Sequence, residues 1–347
     1  MQDASLALGP FDSDQDIIID QSHRRLFAVN SGSDTIAVFD IGGNGSLTPV
    51  KGSPFPSGGV DPVSVGLSDN NTLVVVNKNG DFSRLFPVQP NYTTLHINGD
   101  GSLSPLPNVT PVQVAYGASP SQAFTIPGTN LAFGTDFIGG LIESFTVDLT
   151  GQLRQHLPMA LPANPAIPQF FAQELGLGNF PQGMWSHPFA PLLYVGFPTG
   201  GLVGVYRYDV DGNLEFIRSV PDSGTAVCWL RTNSAGTRLY AGNRGAVSDS
   251  TSTVSVFDLT DPETPVEIQT VTLLGLGNVA QISLDPNGST LYVITQRASS
   301  SIPVGQGNAL HVLTILSDGT VAENTPPIPL NVTDPAEAQG VAVYAPN

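Results

Sequence analysis

Six copies of one apolar phrase, an Asn-Gly or Asp-Gly turn downstream of most copies, and a proline-bearing strand after the turn predict an all-β chain. The fold class they predict is a β-propeller of four-stranded antiparallel blades. Six complete blades are legible, with an orphan strand of a seventh.

The phrase is Leu26-Phe-Ala-Val-Asn30, Leu73-Val-Val-Val-Asn77, Leu131-Ala-Phe-Gly-Thr135, Leu192-Leu-Tyr-Val-Gly196, Leu239-Tyr-Ala-Gly-Asn243 and Leu291-Tyr-Val-Ile-Thr295. Each copy is short and rich in β-branched and aromatic residues, so each reads as a buried strand, here called B in the order A to D from the axis outward. The copies recur at roughly 45–60 residues, the period of propeller blades. Each is followed by a C strand, such as Thr35-Ile-Ala-Val-Phe-Asp40, and then by a turn such as Asn98-Gly-Asp-Gly-Ser102 or Asp209-Val-Asp-Gly-Asn213. Glycine accepts positive φ without steric cost, which makes these hairpin turns. The following D strand, such as Leu47-Thr-Pro-Val50, carries a proline that only an edge position tolerates. An A strand precedes each phrase, clearest in Val279-Ala-Gln-Ile-Ser-Leu284. The blades are expected at about 16–59, 60–119, 120–179, 180–224, 225–277 and 278–334 of one 347-residue domain. Residues 339–344 read as a further A strand: either six blades close with this tail outside them, or a seventh blade is incomplete.

Composition narrows the function classes. Glycine (37) and proline (30) are plentiful and only 12% of residues are charged, which argues against disorder and against long helices. A formal charge of −17 repels phosphate backbones and anionic membranes, so neither nucleic acid nor membrane is an expected partner. No apolar run reaches the length of a membrane helix, and residues 1–6 have no signal-peptide pattern. The single Cys228 lies in an apolar strand and reads as an inert buried thiol. Six Asn-x-Ser/Thr sequons, at Asn44, Asn70, Asn91, Asn108, Asn287 and Asn331, hint at an extracellular life.

The strand phrases resemble the lactonase-like β-propeller family, also described by its YVTN repeats. The resemblance spans nearly the whole chain and is strongest at Leu26-Phe-Ala-Val-Asn-Ser-Gly-Ser-Asp34, Pro62-Val-Ser-Val65, Ala226-Val-Cys-Trp229 and the Gly-x-Leu before D strands. It implies a seven-bladed, often exported fold, some members of which hydrolyse or form sugar or muconate lactones. The chain departs from that pattern in lacking three strands of one blade. An extracellular or periplasmic monomer is the expectation, its leader absent from this chain.

In a propeller the B–C and D–A loops share one face. Three long loops fall there, at 79–91, 157–179 and 298–308. Lys78, Arg84, Arg244 and Arg297 follow B strands and are expected, with Gln182 and Gln296, to hold a small anion. The plainer alternative pairs these cations with Asp81, Asp136 or Asp249 as ordinary loop contacts. Asp136 and Glu174 are the expected catalytic carboxylates, chosen over Asp61, Asp222 and Glu337 on the same face. The histidines fall elsewhere: His23 and His187 in A–B turns, His96 and His311 in C strands, His156 in a D strand. None has metal-ligand spacing, so neither a metal nor another cofactor is expected. The expected function is metal-independent hydrolysis or isomerisation of a small carboxylated lactone or sugar acid. The alternative is a non-catalytic exported propeller that binds a ligand or protein at the loop-rich face.

Overall fold

The computed structural model describes residues 13–78, 88–161, 180–246, 248–299, 301–332 and 337–346. Among the described residues the regular structure is β apart from one 3-10 turn, Ser31–Ser33. Six antiparallel sheets follow one another along the chain, each the blade of a β-propeller. Blade 1 comprises β1 (Ile17–Asp20), β2 (Arg25–Asn30), β3 (Thr35–Ile41), β4 (Leu47–Pro49) and β5 (Phe55–Pro56). Blade 2 comprises β6 (Pro62–Ser68), β7 (Thr72–Asn77), β8 (Asn91–Ile97), β9 (Leu103–Pro105) and β10 (Val112–Gln113). Blade 3 comprises β11 (Phe124–Thr125), β12 (Leu131–Asp136), β13 (Leu141–Val147), β14 (Leu153–Gln155) and β15 (Met159–Ala160). Blade 4 has β16 (Met184–Ser186), β17 (Leu192–Phe197), β18 (Leu202–Tyr208) and β19 (Leu214–Pro221). Blade 5 has β20 (Val227–Thr232), β21 (Arg238–Asn243), β22 (Thr253–Asp258) and β23 (Val266–Thr272). Blade 6 has β24 (Asn278–Leu284), β25 (Thr290–Gln296), β26 (Ala309–Ile315), β27 (Val321–Ala322) and β28 (Ile328–Pro329).

The chain divides into two compact units. The first is Met1–Ala160 with Asp209–Leu214 and Tyr344–Asn347; the second is Leu161–Tyr208 with Glu215–Val343. In the first, β7 shows why the strand phrase is apolar from Leu73 to Val76. Leu73 and Val75 pack with Phe27, Ile36 and Val38 of blade 1. Val74 and Val76, pointing the other way, pack with Ala123, Ala132 and Phe145 of blade 3. A strand buried on both faces has no polar side to alternate with. In the second unit, Tyr194 and Val205 of blade 4 pack with Leu230 and Ala241 of blade 5, and Trp229 and Val254 of blade 5 with Ile282 and Val293 of blade 6.

Outer strands behave oppositely. In β23 exposed and half-buried residues alternate. Blades 1, 2, 3 and 6 break the outer strand into two short pieces on one partner, as with β4 and β5 on β3. Pro49, Pro56, Pro105, Pro221 and Pro329 all lie in outer strands, where a missing N–H costs no ladder bond.

The segment 339–344 is not a strand. Gly340 turns the backbone to φ +67°, and the N–H of Val341 donates to the side-chain Oε1 of Gln281 at 2.7 Å rather than to a strand carbonyl. Ala338 and Val341 instead cover Ala280 and Ile294 of blade 6.

Candidate functional site

In the first unit, inner-strand ends bring buried charges together. Lys78, the residue after β7, is 2% exposed, and its backbone N–H donates to the carbonyl of Asp61 at 2.9 Å. Asp136 ends β12 and is 1% exposed. Its Oδ1 accepts the backbone N–H groups of Ser119 at 2.7 Å and Gly139 at 3.0 Å. Burial raises the proton affinity of the Asp136 carboxyl, against the pull of those two N–H groups and the positive Lys78. Position 139 must be glycine, because a Cβ there would lie 2.0 Å from Asp136 Oδ2.

Glu143, on β13, is a member of this group that sequence reasoning missed. It is 3% exposed and accepts a hydrogen bond from Gln155 Nε2 at 2.7 Å. Burial raises its pKa and the charge of Asp136 raises it further. Tyr92, fully buried, donates its hydroxyl to the carbonyl of Gln122 at 3.4 Å, and burial with both carboxylates drives its pKa well up. The available signal was one charged residue in the otherwise uncharged run Leu141-Ile-Glu-Ser-Phe-Thr-Val147.

The second unit carries its own polar cluster. Asp222, just after β19, accepts the N–H of Gly224 at 2.6 Å and the hydroxyl of Ser255 at 2.9 Å on Oδ1. Burial pushes its pKa up to about 6, with those hydrogen bonds opposing and the charge of Glu267 assisting. Its Oδ2 has no hydrogen-bond partner, and neither has Oδ1 of Asn243. Asn243 ends β21 and donates through Nδ2 to Ser255 at 2.9 Å and Thr253 at 3.1 Å. Arg244 follows it, and the Arg244 carbonyl accepts the Nδ2 of Asn278 at 2.9 Å.

Asn278 and Gln296 are cross-strand partners on β24 and β25. Gln296 is fully buried, and neither its amide nitrogen nor its amide oxygen has a partner; the Oδ1 of Asn278 is also unsatisfied. Native interiors rarely leave such atoms unmatched, so these mark a place suited to a polar occupant. Arg297 comes next, its Nε donating to the carbonyl of Ile302 at 2.8 Å. Hydrogen bonding and strand pairing thus gather Arg244, Gln296 and Arg297 around Asn278. Gln182 is 2% exposed and bonds through its N–H to Gly196 at 2.9 Å. Glu174 and Arg84 lie outside the described residues.

Described histidines serve structure. His187 accepts two backbone N–H bonds on Nδ1, from Phe189 at 3.1 Å and Ala190 at 2.9 Å, and bonds Gly236 through Nε2. His311 is held between Thr295 at 3.0 Å and Glu323 at 2.6 Å, and its ring is 1% exposed. His156 lies just past β14 rather than in it. Among the described residues no three His, Cys, Asp or Glu side chains are grouped to hold a metal ion, and no helix is long and apolar enough to cross a membrane.

No family model and no curated protein matches the chain. Solved structures do. A candidate 6-phosphogluconolactonase of Bacteroides uniformis superposes with a TM-score of 0.70 at 17% identity, over 90% of this chain and 84% of the other. The periplasmic gluconolactonase of Pseudomonas aeruginosa gives 0.66 at 16% identity, over 90% and 85%. The fold shared with them is the β-propeller. Streptogramin B lyase shares it more distantly, with a TM-score of 0.56 at 14% identity over 97% of this chain and 89% of that one. Of the residues just described, Asp136, Asn243 and Gln296 end second strands, and Lys78, Arg244 and Arg297 follow them.

Proposed function

We propose that the chain is a lactonase-like hydrolase or isomerase that acts on a small carboxylated lactone or sugar acid without a metal ion. The observation that carries the reading is the Asp136 carboxyl: it is buried at a strand end, has raised proton affinity, and lies within electrostatic reach of an equally buried lysine. Burial and a charge partner at a strand end suit such a carboxylate to the work of a general base. It would take a proton from water as the water oxygen bonds to the lactone carbonyl carbon. The ring C–O bond then breaks, and the departing ring oxygen recovers the proton. Lys78 would stabilise the oxyanion formed at the carbonyl oxygen. Glu174 is the other proposed carboxylate. Arg84 is proposed to bind the substrate's carboxylate, and in the second unit Arg244, Arg297, Gln182 and Gln296 are proposed to bind carboxylate and hydroxyl groups in their own right. Asp222, with its pKa near 6 and one unmatched oxygen, is a second candidate base. The proposed setting is extracellular or periplasmic, and the periplasmic neighbour supports it.

The test is turnover of aldonolactones and muconolactones by the purified chain, with and without EDTA. Asp136→Asn is expected to lower kcat by about 100-fold or more, the usual worth of a general base. Arg244→Ala is expected to raise KM with little change in kcat. Asp222→Asn and Glu174→Gln decide whether either carboxylate shares the role. No turnover above the uncatalysed rate for any lactone would reject the enzyme reading in favour of a binding scaffold, and inhibition by EDTA would reject metal independence.

A further inference from the structure

In the second unit, two side chains of blade 6 hold three buried polar atoms without a hydrogen-bond partner: Asn278 Oδ1, Gln296 Oε1 and Gln296 Nε2. Alternation along β25 sorts its side chains by face. Val293 packs with Trp229 and Val254 of blade 5. Ile294 and Gln296 point the other way, where Ala338 and Val341 of the C-terminal segment cover Ile294. Asn278 lies directly across the ladder from Gln296. Their Cβ atoms are therefore about 5 Å apart, on that same face. Asn278 is 2% exposed and Gln296 is fully buried.

The orientation of the Asn278 amide is fixed. Its Nδ2 donates to the carbonyls of Arg244 at 2.9 Å and Asp249 at 3.2 Å. A flipped amide would set an oxygen against two carbonyls, so the unmatched atom is an acceptor. The set to be served is two acceptor oxygens and one amide donor. A carboxylate brings no hydrogen and would oppose both oxygens. A hydroxyl brings one hydrogen and serves one oxygen. An ammonium group offers nothing to Nε2. A primary carboxamide serves all three atoms. Its carbonyl and one N–H pair with the Gln296 amide, and its second N–H reaches Asn278 Oδ1.

We propose that Asn278 and Gln296 form a subsite for a primary carboxamide group. The proposal rests on the reading of Gln296 as a binding residue, and not on lactone turnover. The segment that covers this face is held by side-chain amides: Val341 N–H donates to Gln281 Oε1 at 2.7 Å, and Ala338 N–H to Asn308 Oδ1 at 2.8 Å. It can part from the sheet without breaking a strand ladder. The test is isothermal titration calorimetry of the full chain with three sodium salts: succinamate, 4-hydroxybutyrate and monomethyl succinate. Each carries one negative charge, and their uncharged ends offer two, one and no donor hydrogens. Succinamate is expected to bind about 10-fold or more tightly than the others, since a buried oxygen left unmatched costs about that much. Gln296→Met is expected to abolish the preference and, by removing an unmatched amide, to raise the urea midpoint. No binding of succinamate, an equal or higher affinity for either other salt, or a preference kept by Gln296→Met overturns the proposal. So does a lowered midpoint or loss of folding in that variant, which would mean that an internal partner such as bound water already serves the amide. Lactone turnover is assayed separately. A succinamate preference without turnover keeps the subsite and discards the lactonase reading; turnover without the preference does the reverse.

Discussion

Asp222 illustrates what a single residue contributes here. Its carboxyl titrates near pH 6 in the fold because burial penalises the charged form, against about 3.9 in an unfolded chain. Below pH 4 both states bind the proton and nothing is lost. As pH rises toward 6 the unfolded chain releases its proton first, so the fold loses stability across that window. By pH 7 the loss is of order 3 kcal/mol. Asp222→Asn keeps the acceptor for Ser255 and Gly224 and removes the titration. The difference in unfolding free energy between variant and wild type should therefore move in the variant's favour from pH 4 to pH 7. Urea unfolding at the two pH values checks it, and a pH-independent difference would reject the assignment. The sequence listed Asp222 among acids of the loop-rich face but had no means of ranking it above Asp136, since burial and an unmatched Oδ2 exist only once the chain is folded. Gln296 was legible only as a polar strand end. That both of its amide atoms lack partners is a property of β24 and β25 packed together.

At the scale of elements, neighbouring blades are joined by a repeated clasp. In the first unit, Arg25 opens β2 and pairs with Asp40 across the sheet at 3.2 Å. It also donates to the carbonyl of Gly99, in the turn after the third strand of blade 2, at 2.7 Å. In the second unit, Arg238 opens β21, pairs with Asp258 at 2.6 Å, and donates to the Asp318 carbonyl in the matching turn of blade 6 at 2.6 Å. Smaller versions recur: Thr94 donates to Gly151 at 2.6 Å, and Tyr194 to Pro262 at 2.8 Å. The turn must approach closely, since a Cβ on Gly101 or Gly319 would lie 2.6 Å from the Nε of Arg25 or Arg238. Arg238→Ala should cost about 2 kcal/mol, the scale of charged hydrogen bonds, read from the urea midpoint. Lysine should not rescue it, having no planar fork to serve a carboxylate and a carbonyl together. The strand phrases were legible because burial on both faces writes itself into consecutive residues. The clasp was not, because Arg238 and Asp318 are 80 positions apart and no local pattern links them.

For the whole molecule, the charge of −17 is the governing feature. Self-repulsion of that size opposes folding and is screened over about 10 Å at about 0.1 M salt. The Tm should rise by a few degrees between low and moderate sodium chloride. A Tm that falls with salt would mean that attractive pairs such as Arg25–Asp40 outweigh the repulsion. Six blades were readable because each repeats its own hydrophobic phrase, and six sheets carry those phrases in the structure. The candidate site was readable only as a class of residues. Cations after second strands were visible in the sequence, whereas the grouping of Arg244 and Gln296 around Asn278 depends on side-chain amides and loop carbonyls that carry no periodic signature.

The clasps also have a polarity. At each junction named above, the donor belongs to the earlier blade and the carbonyl to the later one. This sets a reading frame for rearrangement at the gene level. A duplication or deletion that starts and stops at the same point of the repeat hands every donor an equivalent turn. One that starts within one blade and stops at a different point in another leaves a guanidinium or hydroxyl facing the wrong partner. Change by whole blades would therefore keep these contacts, while change by a fraction of a blade would break them.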